Sequence, residues 1–258
     1  MNRKGMLIAG AIVVVLLVGV VAYNLLLREP AAADGPIQAI PLGTQAPVAQ
    51  PTAAPAAAAP TAAPAEAAAP TAAASPAAGG ELRFQIVPDQ SEVRFKLSEV
   101  LRGQPTNVVG KSNQVAGQLA VLPDDLSKVQ VGTIQINART LETDSTQRNR
   151  AIRNFILNTD SYEFITFKPT AISGLSGKAA LGQEYSFDIA GDLTIRDVTK
   201  PVVFKATVKP EAADKLSGSA STVIKRADYN LSIPNVPFVA NVGDDVTLEI
   251  DFVAAPVS

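Results

Sequence analysis

The chain has 258 residues, a formal net charge of -2, 47% hydrophobic residues, and no cysteine, histidine or tryptophan. These absences remove a disulfide framework, a thiolate nucleophile, a cysteine zinc site, a Ser-His-Asp triad and any imidazole base. The near-neutral charge argues against a nucleic-acid partner, while carboxylate, lysine or tyrosine chemistry and a calcium or magnesium site stay open.

Residues 1–29 are dominated by the apolar run Met6 to Leu27, with Arg3 and Lys4 before it and Arg28 and Glu29 cancelling after it. About 20 such residues cross a bilayer core as a helix. The positive-inside rule puts the N-terminus in the cytoplasm and the remainder outside. The expectation is a single-pass signal anchor in the cytoplasmic membrane, with membrane contact through residues 6–27. The rival is a cleaved signal peptide with Ala31-Ala32-Ala33 as its cleavage site; its apolar core usually runs only about 7–15 residues.

Residues 30–80 are rich in alanine and proline, and Pro-Thr-Ala-Ala recurs at Pro51, Pro60 and Pro70. So few large apolar residues cannot offset the entropy of ordering, and the prolines block a long helix. The composition predicts a disordered tether of about 50 residues, spanning roughly 40 Å as a coil and up to about 150 Å extended.

Residues 81–258 alternate with period two, the mark of strands with one buried face. Apolar residues recur at Leu82, Phe84 and Ile86, then at Val93, Phe95 and Leu97. Further strands are expected over Val115 to Leu122, Ile134 to Ala138, Phe164 to Ile172, Tyr185 to Ile195, Val202 to Val208, Tyr229 to Ile233 and Leu248 to Phe252. Turn signals such as Pro88-Asp89, Pro123-Asp124-Asp125, Ser173-Gly174 and Gly243-Asp244 separate them. One helix is expected after Thr143-Asp144-Ser145, with Ala151, Ile152, Phe155 and Ile156 on one face. Arg148 falls inside that apolar arc, facing either an anionic group or Asp144, and Arg153 falls outside it.

Asp124-Asp125 and Asp244-Asp245 read as turn residues without calcium-loop spacing. Asp188 and Asp192 lie opposite the apolar set of their strand. No nucleophile elbow, phosphate loop or dinucleotide motif occurs, and no metal or cofactor is expected. The residues alone predict a membrane-tethered all-β domain that binds something apolar. A barrel of about eight strands can be hollow or filled, and alternation does not distinguish the two.

Four stretches in order resemble the YceI-like domain, a polyisoprenoid-binding family of bacterial envelope proteins. They are Pro88-Asp89-Gln90-Ser91-Glu92-Val93-Arg94-Phe95; Ala138 to Asp144; Arg148 to Phe155 followed by Tyr162 to Phe167; and Gly191 to Val202. Gln90 stands where many members have histidine, Asp197 stands at a common glycine, and the polar stretch Glu99 to Lys111 fits the pattern poorly. The resemblance implies a lipocalin-like antiparallel barrel with an apolar channel for isoprenoid chains such as quinone tails or prenyl pyrophosphates, and binding rather than catalysis. On that reading Phe95, Ile134, Ile136, Phe164, Phe187, Leu193, Ile195 and Phe204 are the channel-lining candidates. Arg148 and Arg153 are the candidates for a head group. Two alternatives stand beside the carrier: a stalked interaction module with a filled core, and an enzyme using Tyr185 or Tyr229. The oligomeric state is left open.

Overall fold

The computed structural model describes residues 35–42, 80–234 and 239–257. The apolar run 6–27, the rest of the alanine–proline stretch and Asn235 to Phe238 lie outside them. Among the described residues no helix is long and apolar enough to cross a membrane.

The domain is all-β with one short helix. Its strands are β1 (Leu82–Ile86), β2 (Glu92–Leu101), β3 (Gln104–Ser112), β4 (Val115–Ala116), β5 (Gln118–Val121), β6 (Gln130–Val131) and β7 (Ile134–Asn137). They continue as β8 (Phe164–Ser173), β9 (Tyr185–Ile195), β10 (Val198–Ala212), β11 (Lys215–Lys225), β12 (Val239–Ala240) and β13 (Asp245–Pro256). All pair antiparallel in one curled sheet, in the order β4-β7-β8-β9-β10-β11-β13-β1-β5-β6, with β2 also on β13 and β3 on β2. The segment Val115 to Val121 joins the two ends of that order: β4 pairs with β7, and β5 pairs with β1. At a second level, β3 meets Glu142 through paired main-chain bonds between Lys111 and Glu142. The curl encloses an interior that a flat sheet would leave open to water.

β1 and β2 lie on the same edge of β13, interrupted by the turn Pro88–Gln90. Ser91, 5% exposed, fastens this kink: its hydroxyl donates to the Val87 carbonyl (2.8 Å) and accepts from the Val253 N–H (3.1 Å).

Several expected elements differ from those observed. Glu99 to Lys111 is the tip of a hairpin, β2 to β3, with Leu101 opposite Gln104. Arg102 and Gly103 both have positive φ (51° and 80°), the mirror-image turn that two-residue hairpins favour. Its polar composition hid it, because the hairpin tip extends past the part of β2 that pairs with β13. β11 lies outside the expected strands because its inward residues are mostly small and carry little apolar alternation. Tyr229 to Ile233 is no strand: Arg226–Tyr229 forms a helical turn that Asn230 ends at φ 53°. The alternation there was fortuitous; Tyr229 and Leu231 are both buried, but by a turn.

The helix α1 (Thr146–Ala151) starts where expected, with Ser145 accepting from the Arg148 N–H. It widens into a π turn, Ile152–Ile156, which buries Ile152 and leaves Phe155 37% exposed. Part of the alanine–proline stretch is also ordered. Ile37 and Leu42 donate their main-chain N–H groups to the side chains of Gln114 and Gln118, each at 3.1 Å. Gly35 to Leu42 is the locally apolar portion of that stretch, with Ile37, Ile40 and Leu42 half-buried.

Candidate functional site: an apolar interior cavity

The inward faces of the curled sheet enclose a cavity of about 190 Å³. For scale, an apolar cavity of roughly 150 Å³ stays dry and takes up small hydrocarbons. The surface it presents is almost entirely carbon.

The strand period places the lining. Phe187, Leu193 and Ile195 come from β9, Phe204 from β10, Phe95 from β2, and Ile134 and Ile136 from β7; all seven line the cavity. Phe164 does not. It is 39% exposed on the outer face, while Ile165 and Phe167 of the same strand face inward. The register explains the correction, since Ile165 pairs with Ile136 and Phe167 with Ile134, both inward residues. The sequence Phe-Ile-Thr-Phe carries a large apolar residue in each parity, so alternation there does not select a face. Leu216 and Ala220 of β11 and Ile250 and Phe252 of β13 also line the cavity. The β13 alternation points to the last two; β11, rich in serine and glycine, carries no such pattern.

Three phenylalanines keep their rings off the lumen by lying over glycines. Phe95 covers Gly110, its cross-strand partner; a Cβ at Gly110 would lie 2.1 Å from the ring. Phe252 covers Gly218, also its partner. Phe167 covers Gly191, where a Cβ would come within 2.6 Å of the ring and of the Lys168 carbonyl. Laid over β9, Phe167 meets Phe204 edge-on with centroids 4.8 Å apart. Rings packed along the wall leave space between opposite walls, a feature of three-dimensional placement that alternation does not encode.

The two ends differ. At the helix end, Ala138, Leu141, Ile152, Leu157, Tyr229 and Leu231 pack into one buried cluster. A polar knot supports it: Asn137 and Arg139 both bond Glu163 (3.1 and 3.0 Å), and Ser112 bonds Thr140 at 2.6 Å. At the other end, Leu126, Val129, Leu175 and Ala179 cap the cavity from two loops. Those loops hold each other through Leu126 N–H to Gly177 O (2.8 Å) and Ala179 N–H to Pro123 O (2.7 Å). Tyr185 lines the wall there; its hydroxyl accepts from Ala180 N–H (2.9 Å) and donates to Lys178 O (3.1 Å). Gly174, Gly177 and Gly182 give this loop its left-handed turns.

Neither head-group candidate lines the cavity. Arg148 pairs with Asp144, as one sequence reading had it, and also with Glu99 at 2.8 Å. Glu99 has the inward parity of β2 and is 6% exposed, so this pair ties the helix to the sheet. Arg153 donates to the Arg139 carbonyl at 3.2 Å. Asp188 stands on the outer face with Lys205 at 3.6 Å.

Tyr229 is 1% exposed, and its hydroxyl has no hydrogen-bond partner among the described residues. Burial, assisted by the nearby Asp228 charge, pushes its pKa up to about 12. A pKa raised on folding means that stability is full below the unfolded value near 10 and is lost as pH rises toward 12. Tyr229→Phe is therefore expected to be at least as stable at neutral pH, since it removes an unpaired buried hydroxyl. It should also lose less stability than the parent between about pH 10 and pH 12. Urea unfolding at both pH values checks this; equal alkaline losses in the two proteins would refute it.

The profile of the YceI-like domain family matches residues 84–254. A UPF0312 protein of Shewanella denitrificans is 30% identical over 150 residues, covering 55% of this chain and 73% of that protein. Protein YceI of Escherichia coli is 33% identical over 104 residues, covering 38% of this chain and 50% of its own length. Among solved structures, a polyisoprenoid binding domain from Saccharophagus degradans aligns with a TM-score of 0.54 at 15% identity, over 68% of this chain and 99% of that one. BcnA of Burkholderia cenocepacia aligns with a TM-score of 0.52 at 20% identity, over 66% and 99%. Both share the fold. Through its whole curled sheet, this chain belongs to the YceI-like domain family.

Proposed function

We propose that the domain is a binding protein for isoprenoid lipids, holding the prenyl chain in its interior and catalysing no reaction. The observation that carries this is the cavity: continuous, lined with carbon, and kept open by phenylalanine rings laid on glycines. Moving apolar surface out of water gains about 25 cal/mol per Å², so a prenyl tail leaves a bilayer only for an equally apolar interior. The family and the polyisoprenoid-binding structural relative support the ligand class. The lack of histidine and cysteine supports binding over catalysis. On this reading the sheet serves as a lipocalin-like barrel. The run 6–27 anchors it in the cytoplasmic membrane with the domain outside, and the alanine–proline stretch lets it return to the bilayer to load and unload. Entry is by the loop end, where two loops close the cavity in place of the packed cluster of the helix end.

The test is to purify the full chain from a bacterial host and extract its lipids for mass spectrometry, with the Ala220→Trp variant prepared in parallel. A prenyl lipid near one per chain in the parent, absent from the variant, is the expected result. Equal lipid in both preparations would mean that the cavity is not the site.

A further inference from the structure

Resting on the isoprenoid reading above, we infer that this site selects its cargo by the tail and takes only heads without a formal charge: quinones or prenyl alcohols, not prenyl phosphates. A phosphate leaving water needs cations already aimed at it, because burying an uncompensated charge is far more costly than burying a paired one. The wall supplies none. The one arginine among the lining residues, Arg94, is on the outward parity of β2, and its guanidinium is held by Glu92, Glu249 and Asp251. That carboxylate cage raises the Arg94 pKa, stabilising the charge where it is.

The ends are no more receptive. At the helix end Arg148 is held by Glu99 and Asp144, and Arg139 by Glu163. Arg153 and Arg196 donate to the main-chain carbonyls of Arg139 and Ile156 and do not reach the cavity. The inward-facing carboxylate at that end, Glu99, is compensated by Arg148 and leaves that guanidinium no free charge to offer. At the loop end, Lys178 pairs with Asp124, Lys128 with Asp125 and Lys209 with Glu211. Lys215 also acts on Glu211 and helps to hold its carboxyl below the usual range, after the Ser217 and Lys209 bonds. Asp214 and Glu184 add two further negative charges there. At the loop end an anionic head would have to take a cation from a carboxylate; at the helix end Arg153 and Arg196 are held by carbonyls and each keeps a buried Nε without a partner among the described residues, but neither lines the cavity. An uncharged head needs only to sit at the mouth with its tail inside.

The experiment uses the full chain, stripped of lipid and assayed by native mass spectrometry against three probes with the same geranylgeranyl tail: the alcohol, a menaquinone and the pyrophosphate. The alcohol and the menaquinone are expected to bind within about threefold of each other, and the pyrophosphate at least about tenfold more weakly. Pyrophosphate binding equal to or tighter than the alcohol overturns this inference while leaving the isoprenoid reading intact. A preference for menaquinone over alcohol of more than about tenfold also overturns it, because the head would then be read. Failure of all three probes removes the isoprenoid reading itself, and this inference with it.

Discussion

Ala220→Trp is expected to abolish prenyl-lipid binding while leaving the protein folded. Ala220 lines the cavity from β11 and is flanked by small residues. An indole there enters the void instead of displacing packed atoms, so the usual overpacking cost of about 1–3 kcal/mol is reduced. Affinity should fall by about a hundredfold or more, on the order of 3 kcal/mol, with a melting temperature within a few degrees of the parent. Gly110→Ala tests the same geometry more gently. The three atoms nearest to its Cβ all belong to the Phe95 ring, which is the movable partner. The ring must leave the wall and enter the lumen, so binding weakens without any change in charge. Lipid titration of both variants, with circular dichroism for the fold, decides it. Retained binding in Ala220→Trp would show that lipid sits elsewhere.

Arg148→Ala carries the second large effect, on stability. Glu99 is 6% exposed, and its partner Arg148 reaches it from the helix. Removing one member of a buried pair leaves an uncompensated charge and costs about 3–5 kcal/mol. At about 2–4 °C per kcal/mol for a domain of this size, the melting temperature should drop by roughly 6–20 °C. Adding Glu99→Gln to Arg148→Ala removes the stranded charge and should recover more than half of that loss. Asp144→Ala should cost less than about 1 kcal/mol, because Asp144 is mostly exposed. Calorimetry on the parent, Arg148→Ala, Glu99→Gln and the double variant completes the cycle; additive losses would mean that Glu99 and Arg148 act independently.

The contrast between Arg148 and Phe187 shows what was legible. Phe187 is one of a set of apolar residues at period two between polar ones, and only one face of β9 can be buried, so its placement follows from the pattern. Arg148 lies on the expected helix, and Asp144, four positions before it, is a local partner. Its stronger partner, Glu99, is 49 positions away in the chain. No local pattern reports that distance, and a polar hairpin tip drew no attention as the place where a buried carboxylate would sit. Phe164 failed for a different reason, since both parities of its strand carry large apolar side chains.

The sequence by itself determined the class of molecule: an all-β domain with one capped helix, a family-specific order of motifs, and inward faces of aromatic and branched residues. Period, turn residues and caps are local, and local physics reads them from neighbours along the chain. Only the tertiary structure decided that the interior is open. That depends on cross-strand pairs such as Phe95 with Gly110 and Phe252 with Gly218, where a missing side chain on one strand makes room for a ring from the next. It also depends on a closing segment shared between β1 and β7. Pairings across such distances are set by register and curvature, and these exist only once the sheet has folded round on itself.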